Sequence, residues 1–190
     1  GSDSTRPCVP VLMYHHILPQ DKITGLFEDN NVVVSLEQFK RDIQLLKDNG
    51  YETISLRQLN DFVRDGAEIP AKSVVITFDD GYLSNKVYAM PVLQEAGYTA
   101  VIFALTGWME EYPQTFRADA LQYLSWPEIK EMRRVFQFAS HTDNMHSSNH
   151  LYLIRIPYAD EHKRNEIITK LAERGISSNV HYKPLPMMTA

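Results

Sequence analysis

Asp79 and Asp80 are adjacent carboxylates at the end of the run Val74-Val75-Ile76-Thr77-Phe78, and Gly81-Tyr82 follow them directly. Two neighbouring carboxylates can divide labour, one binding a metal ion while the other moves a proton. The apolar run reads as a buried parallel strand, and in α/β folds chemistry sits at the C-terminal end of such a strand. Successive side chains on an extended strand leave opposite faces, so Asp79 and Asp80 are expected to point apart and do different jobs. A plain Asp-Asp-Gly turn, with a carboxylate capping a helix and the glycine supplying an unusual backbone angle, explains the same residues equally well.

A second stretch separates these readings. Phe136-Gln137-Phe138-Ala139-Ser140 reads as another short buried strand, and it delivers His141-Thr142-Asp143-Asn144-Met145-His146. Two histidines five residues apart on a loop after a strand can converge on one point. With one aspartate they make a two-histidine, one-carboxylate set that leaves positions on a divalent ion open for water and substrate. Surface histidine pairs arise by chance, so the conjunction with the strand-end Asp-Asp-Gly carries the reading.

Thr77-Phe78-Asp79-Asp80-Gly81-Tyr82 and the segment from Ser140 to His146 resemble the first two motifs of the NodB-type polysaccharide deacetylases, carbohydrate esterase family 4. The longer His-Thr-x-x-x-His spacing is similar to that of the branch acting on poly-β-1,6-N-acetylglucosamine. The resemblance covers about residues 9–148, including Val11-Leu12-Met13-Tyr14-His15-His16 and Tyr123-Leu124-Ser125-Trp126-Pro127. It implies that Asp79 is the general base and that Asp80, His141 and His146 hold a divalent metal, zinc first, with cobalt or nickel as alternatives. It also implies that the backbone N–H of Tyr82 faces the oxyanion. The implied reaction is metal-dependent hydrolysis of N-acetyl groups from a polysaccharide or oligosaccharide containing N-acetylglucosamine. The implied setting is extracytoplasmic or at the cell surface, with the cytoplasm left open.

The elements that must position these residues follow from pattern and punctuation. Residues 9–14 read as a first strand ending at His15-His16, a pair that is either a loop pair or part of the strand-end site. Residues 17–31 read as a long polar loop, a candidate flap over a substrate groove. Ser35 with Gln38 resembles a capping box, and Phe39, Ile43 and Leu46 follow at helical spacing until Asn49-Gly50. Residues 51–54 suit a short strand, Ser55 caps a helix over 56–63, and Pro70 closes the loop before the motif strand. After Tyr82 a helix carrying Val87, Met90, Val92 and Leu93 runs to Gly97, with Pro91 as its bend. Residues 100–105 form the next strand. Trp108, Tyr112, Phe116, Tyr123 and Trp126 fall in or beside the segment after it, where aromatic rings can either stack on sugars or pack the interior. Trp126-Pro127 opens a further helix.

The chain changes character near residue 148. Residues 151–156 suit a strand, 160–174 a charged helix and 176–182 a strand again. The run Arg174-Gly175-Ile176-Ser177-Ser178-Asn179-Val180-His181-Tyr182-Lys183-Pro184-Leu185-Pro186 resembles the C-terminal end of the DegT-type sugar aminotransferases, which use pyridoxal phosphate. Nothing in this sequence matches the lysine or phosphate site of those enzymes. The late motifs of the deacetylase family, including a Leu-x-x-His that supplies the general acid, are not found in residues 147–190, so turnover is expected to be impaired. His181, His15 and His16 are conceivable replacements with no spacing argument behind them. The organisation expected is a truncated deacetylase-like domain over 1–148 and a β-α-β tail over 149–190. The expected fold is α/β, a distorted and incomplete (β/α) barrel whose open edge the tail strands could cover. Two alternatives belong to other classes: a carbohydrate- or metal-binding remnant without turnover, and a fragment of a sugar aminotransferase.

Composition narrows the field. A net charge of −5 over 190 residues argues against nucleic acid or an acidic membrane surface as partner. No apolar stretch is long enough to span a bilayer. Gly1-Ser2 reads as a tag remnant in front of which a natural leader could stand. Cys8 is the sole cysteine, so no internal disulfide can form.

Overall fold

The structure is a computed structural model that describes residues 9–141, of which residues 11–141 lie within one compact unit. Four strands run side by side in parallel in the order β1 (Val11–Tyr14), β5 (Ser73–Asp80), β6 (Ala100–Leu105) and β7 (Phe136–His141). A short β4 (Glu52–Thr53) joins the start of β5 and completes a five-stranded sheet. Among the described residues this sheet stays open, with β1 and β7 at its ends, as expected of an incomplete α/β barrel. The β-α-β tail expected over 149–190 lies outside the described residues.

The buried run before Asp79 is the middle of the sheet. Every residue from Ser73 to Asp79 is buried, so both faces of β5 are covered, as parallel strands flanked by helices require. Val74, Ile76 and Phe78 point to one side and join Ile102 and Phe136 in the main apolar core. There Phe78 meets Tyr14 at 5.5 Å between ring centroids, Phe39 at 5.7 Å and Phe136 at 5.7 Å. Alternation therefore sends Val75, Thr77 and Asp79 to the opposite face.

Helices α1 (Leu36–Asp48) and α2 (Leu56–Asp65) start where the sequence signals them. At α2 the box is complete: Ser55 and Gln58 satisfy each other's orphan N–H groups. At α1 only half forms. Ser35 Oγ accepts the Gln38 N–H at 3.2 Å, while the Gln38 amide turns away to donate to Asp42 at 2.6 Å. The chain after Tyr82 departs from the expected bent helix. Asn85–Ala89 form a single π-helical segment, and α3 (Met90–Ala96) begins afresh with Pro91 in its first turn, where a missing N–H costs nothing. α4 (Trp126–Met132) opens with a box in which the buried Glu128 accepts from both the N–H and the hydroxyl of Ser125. Lys86 donates to the same carboxylate at 3.2 Å, which ties α4 to the segment following the Asp-Asp-Gly turn.

Residues 17–31 do not form a flap. His16–Leu18 make strand β2, which pairs in parallel with β3 (Val33–Ser35), and Ile17, Leu18 and Phe27 are fully buried. Two short 3-10 turns follow, Gln20–Lys22 and Gly25–Phe27, the second carrying Phe27 itself, so an average polarity hid three anchoring side chains.

Candidate active site

Register brings the chemistry-bearing residues together. Asp79 pairs with Phe103 on β6, which pairs with Ala139 on β7; Leu105 at the end of β6 pairs with His141. Counting by twos from Ala139, His141 falls on the same face as Asp79, one step nearer the C-terminal end. On the other side Tyr14 pairs with Phe78, which sets His15 beside Asp79. The side chains close over this end of the sheet. Asp79 Oδ2 stands 3.9 Å from His15 Nε2 and 3.9 Å from His141 Nε2, and Asp80 Oδ1 stands 3.7 Å from His141 Nε2.

The expectation that Asp79 and Asp80 point apart needs correction, because both carboxylates meet His141. Extended geometry would turn the Asp80 side chain toward Ile76 and Phe78 in the apolar core. Asp80 instead has φ +69° and Gly81 φ +75°, two successive left-handed residues that swing the second carboxylate back over the strand end. Gly81 is needed for a second reason. A Cβ there would lie 3.1 Å from Ala104 Cβ and 3.2 Å from Ala104 Cα, so the turn rests on β6 with no room for a side chain. Ala104 pairs with both Asp80 and Ser140, the small residue between the strands that carry Asp80 and His141.

Environment separates the two aspartates where direction does not. Asp79 is 4% exposed, and burial first, then the neighbouring Asp80 charge, pushes its carboxyl up to about 7. Asp80 is the more open of the pair. The Tyr82 phenol is pushed well above its usual value by burial, with the Asp80 carboxylate and the Tyr123 hydroxyl as its polar neighbours.

His15 and His16, inseparable in the sequence, have different surroundings. His16 is 2% exposed, bonds Ser84 Oγ through Nδ1 at 2.5 Å, and has its pKa pushed down to about 4 by burial, which disfavours the charged form. His15 faces Asp79. The signal that singles it out is positional: it follows β1 as Asp79 follows Phe78 on β5.

The donors suit a divalent ion. Metal–ligand bonds of about 2.0–2.2 Å put neighbouring ligand atoms about 3–4 Å apart, and carboxylate oxygen with imidazole nitrogen is a common set for zinc, cobalt and nickel. Asp80 and His141 meet that spacing. Among the described residues no group of three side chains completes a metal site, and His146, the third ligand implied by the sequence, lies outside them, as do Asp143 and His181.

Comparison with known proteins identifies the family. A family model described as polysaccharide deacetylase matches residues 66–182. That match runs over most of the tail, and the resemblance of residues 174–186 to sugar aminotransferases finds no support among the relatives named here. The chain is 32% identical over 146 residues to the poly-β-1,6-N-acetyl-D-glucosamine N-deacetylase of Escherichia coli, covering 68% of this chain and 22% of that protein. It is 32% identical over 124 residues to the Staphylococcus aureus protein of the same name, covering 63% and 40%. Among solved structures, the Streptococcus pyogenes deacetylase PplD in complex with acetate superposes with a TM-score of 0.59 at 27% identity over 74% of this chain and 58% of that one. IcaB from Ammonifex degensii gives 0.58 at 25% identity over 72% and 53%. The chain thus spans well under half the length of these two curated relatives.

Proposed function

The chain belongs to the polysaccharide deacetylase family, and from that premise we propose that it hydrolyses N-acetyl groups of a polysaccharide containing N-acetylglucosamine, using one divalent metal ion. The observation that carries the proposal is the convergence of Asp79, Asp80, His15 and His141 within 3.7–3.9 Å at one strand end. The family generally depends on a divalent metal, and we assign its protein ligands here to Asp80, His141 and His146, with zinc first and cobalt or nickel as alternatives. An ion held there supplies Lewis acidity toward the acetamide carbonyl and the attacking water.

The chain's own residues account for the proton movements. Asp79 takes the water proton as the water oxygen bonds to the carbonyl carbon. A carboxyl with a pKa of about 7 is poised near neutral pH for that exchange, whereas an ordinary aspartate is a much weaker base. The Tyr82 N–H, immediately after the left-handed Asp80-Gly81 turn, is assigned to the oxyanion. His15 lies beside Asp79 and outside the ligand set, and can carry a proton next to the base. Collapse of the tetrahedral intermediate breaks the C–N bond, releases acetate and leaves a protonated amine on the sugar.

A polymer of this kind places the reaction outside the cytoplasm or at the cell surface in our reading; no described helix is long and apolar enough to cross a membrane. The test is acetate release from N-acetylglucosamine oligomers by the zinc-loaded protein. Metal and sugar binding without acetate release would instead favour a binding module.

A further inference from the structure

Four rings run in file from the interior to the surface beside the catalytic carboxylates. His16 lies nearly parallel to Tyr82 at 5.0 Å and 19°, Tyr82 nearly parallel to Tyr123 at 5.2 Å and 25°, and Tyr123 and Trp108 meet in a T-shaped contact at 5.2 Å and 75°. Backbone fixes the middle of the file. Tyr82 and Tyr123 form an antiparallel bridge, Leu124 N–H donates to Gly81 O at 2.9 Å, and Leu83 N–H donates to Gln122 O at 2.8 Å. The inner end is buried, and the outer ring, Trp108, is 55% exposed.

The outer ring leaves much of an indole in water while its contact with Tyr123 fixes where it stands. Phe116, from the same segment, packs edge-on against Tyr88 and is an ordinary interior ring. Tyr112 and Trp126 are exposed too, but neither belongs to the file. Two ring steps of 5.2 Å separate Trp108 from Tyr82, whose neighbour Asp80 stands in the site. Trp108 ends the short turn that follows Leu105, the residue in register with His141, so it stands at the same end of the sheet as Asp79 and His141 but beyond the strand that carries them.

We propose that the exposed face of Trp108 is a stacking platform for a pyranose ring of an N-acetylhexosamine polymer, adjoining the sugar whose acetamide reaches Asp79. A hexopyranose with equatorial substituents presents a flat face of C–H groups, and such a face complements an aromatic π-surface. The platform rests on the deacetylase reading and adds to it a residue that selects chains over single sugars.

Two measurements test it separately from that reading. Trp108 and Trp126 are the only tryptophans, so the Trp126→Phe protein carries Trp108 as its sole indole reporter. Titration with N-acetylglucosamine pentamer should shift its emission at concentrations where the monomer does not, with no turnover required. In zinc-loaded protein, Trp108→Ala should raise KM for the pentamer about three- to tenfold, as the loss of one aromatic contact implies, with kcat and monomer kinetics unchanged. Trp108→Phe, which keeps a ring, should recover most of the loss. An unchanged pentamer KM in Trp108→Ala, with the parent still releasing acetate, would overturn the platform and leave the deacetylase standing. Parent protein that neither releases acetate nor responds to the pentamer would overturn both.

Discussion

Asp80 Oδ1 lies 3.7 Å from His141 Nε2, although strand β6 separates the strands that carry them. Neighbouring strands are about 4.8 Å apart, so two side chains must span about 10 Å and meet over the strand between them. They can do so because β6 carries only Ala104 at that point and because Asp80 leaves extended geometry. The meeting is a property of three strands together.

Loss of either partner should therefore empty the metal site. Removing a group that merely orients a ligand costs about 10–100-fold in affinity, and Asp80→Asn or His141→Ala, which remove ligands, should cost more. Competition titration with a chromogenic chelator measures this. Asp79→Asn should keep its affinity within a few-fold of the parent, and equal losses in all three variants would merge the roles of the two aspartates.

Gly81→Ala should destabilise the fold as well as the site. A left-handed alanine costs about 1–2 kcal/mol, and its methyl would press on Ala104, so a fall in Tm of at least about 2–8 °C is expected by calorimetry. Adding Ala104→Gly should restore part of that loss by relieving the contact, leaving the backbone cost. An unaltered Tm in Gly81→Ala would contradict the geometry of the turn.

Metal-free protein should show an opposed pair of pH effects. Asp79 has a folded pKa of about 7 against an ordinary 3.8, so the folded state binds the extra proton between those values. The stability it contributes is present below about 3.8 and is lost as pH rises through 7. Asp79→Asn should then raise the Tm of metal-free protein at pH 8 and leave it nearly unchanged at pH 4.

His16 acts in the other direction. Burial holds it at about 4 against 6.5, so the unfolded chain binds the extra proton and stability is lost as pH falls from 6.5 toward 4. His16→Phe should flatten that acid limb in a plot of Tm against pH. An acid limb of the same slope would mean that His16 protonates freely in the fold.

Local rules made much of this structure legible before any coordinates. Ser55 with Gln58, the glycine after α3 and the β-branched run before Asp79 each follow from propensity or capping, and each stands where expected. Family motifs singled out Asp79, Asp80 and His141, which the fold brings to one strand end. What stayed hidden depends on partners distant in sequence. The left-handed Asp80-Gly81 turn comes against Ala104 of β6 at Gly81, and the burial of Phe27 beside His16 needs β2 and β3 to pair. The separation of His15 from His16 needs β1 to lie beside β5. Alternation misled at Asp80 because it assumes a strand that continues, and β5 ends at Asp80 with a left-handed residue.

The most direct test of the account is acetate release from N-acetylglucosamine pentamer by zinc-loaded parent and zinc-loaded Asp79→Asn, with metal content measured on the same samples. The account predicts release by the parent that stops on chelation and returns with zinc, and a variant that retains one zinc yet falls by at least about 100-fold in rate. Equal rates in the two proteins, or no release from a fully loaded parent, would contradict it.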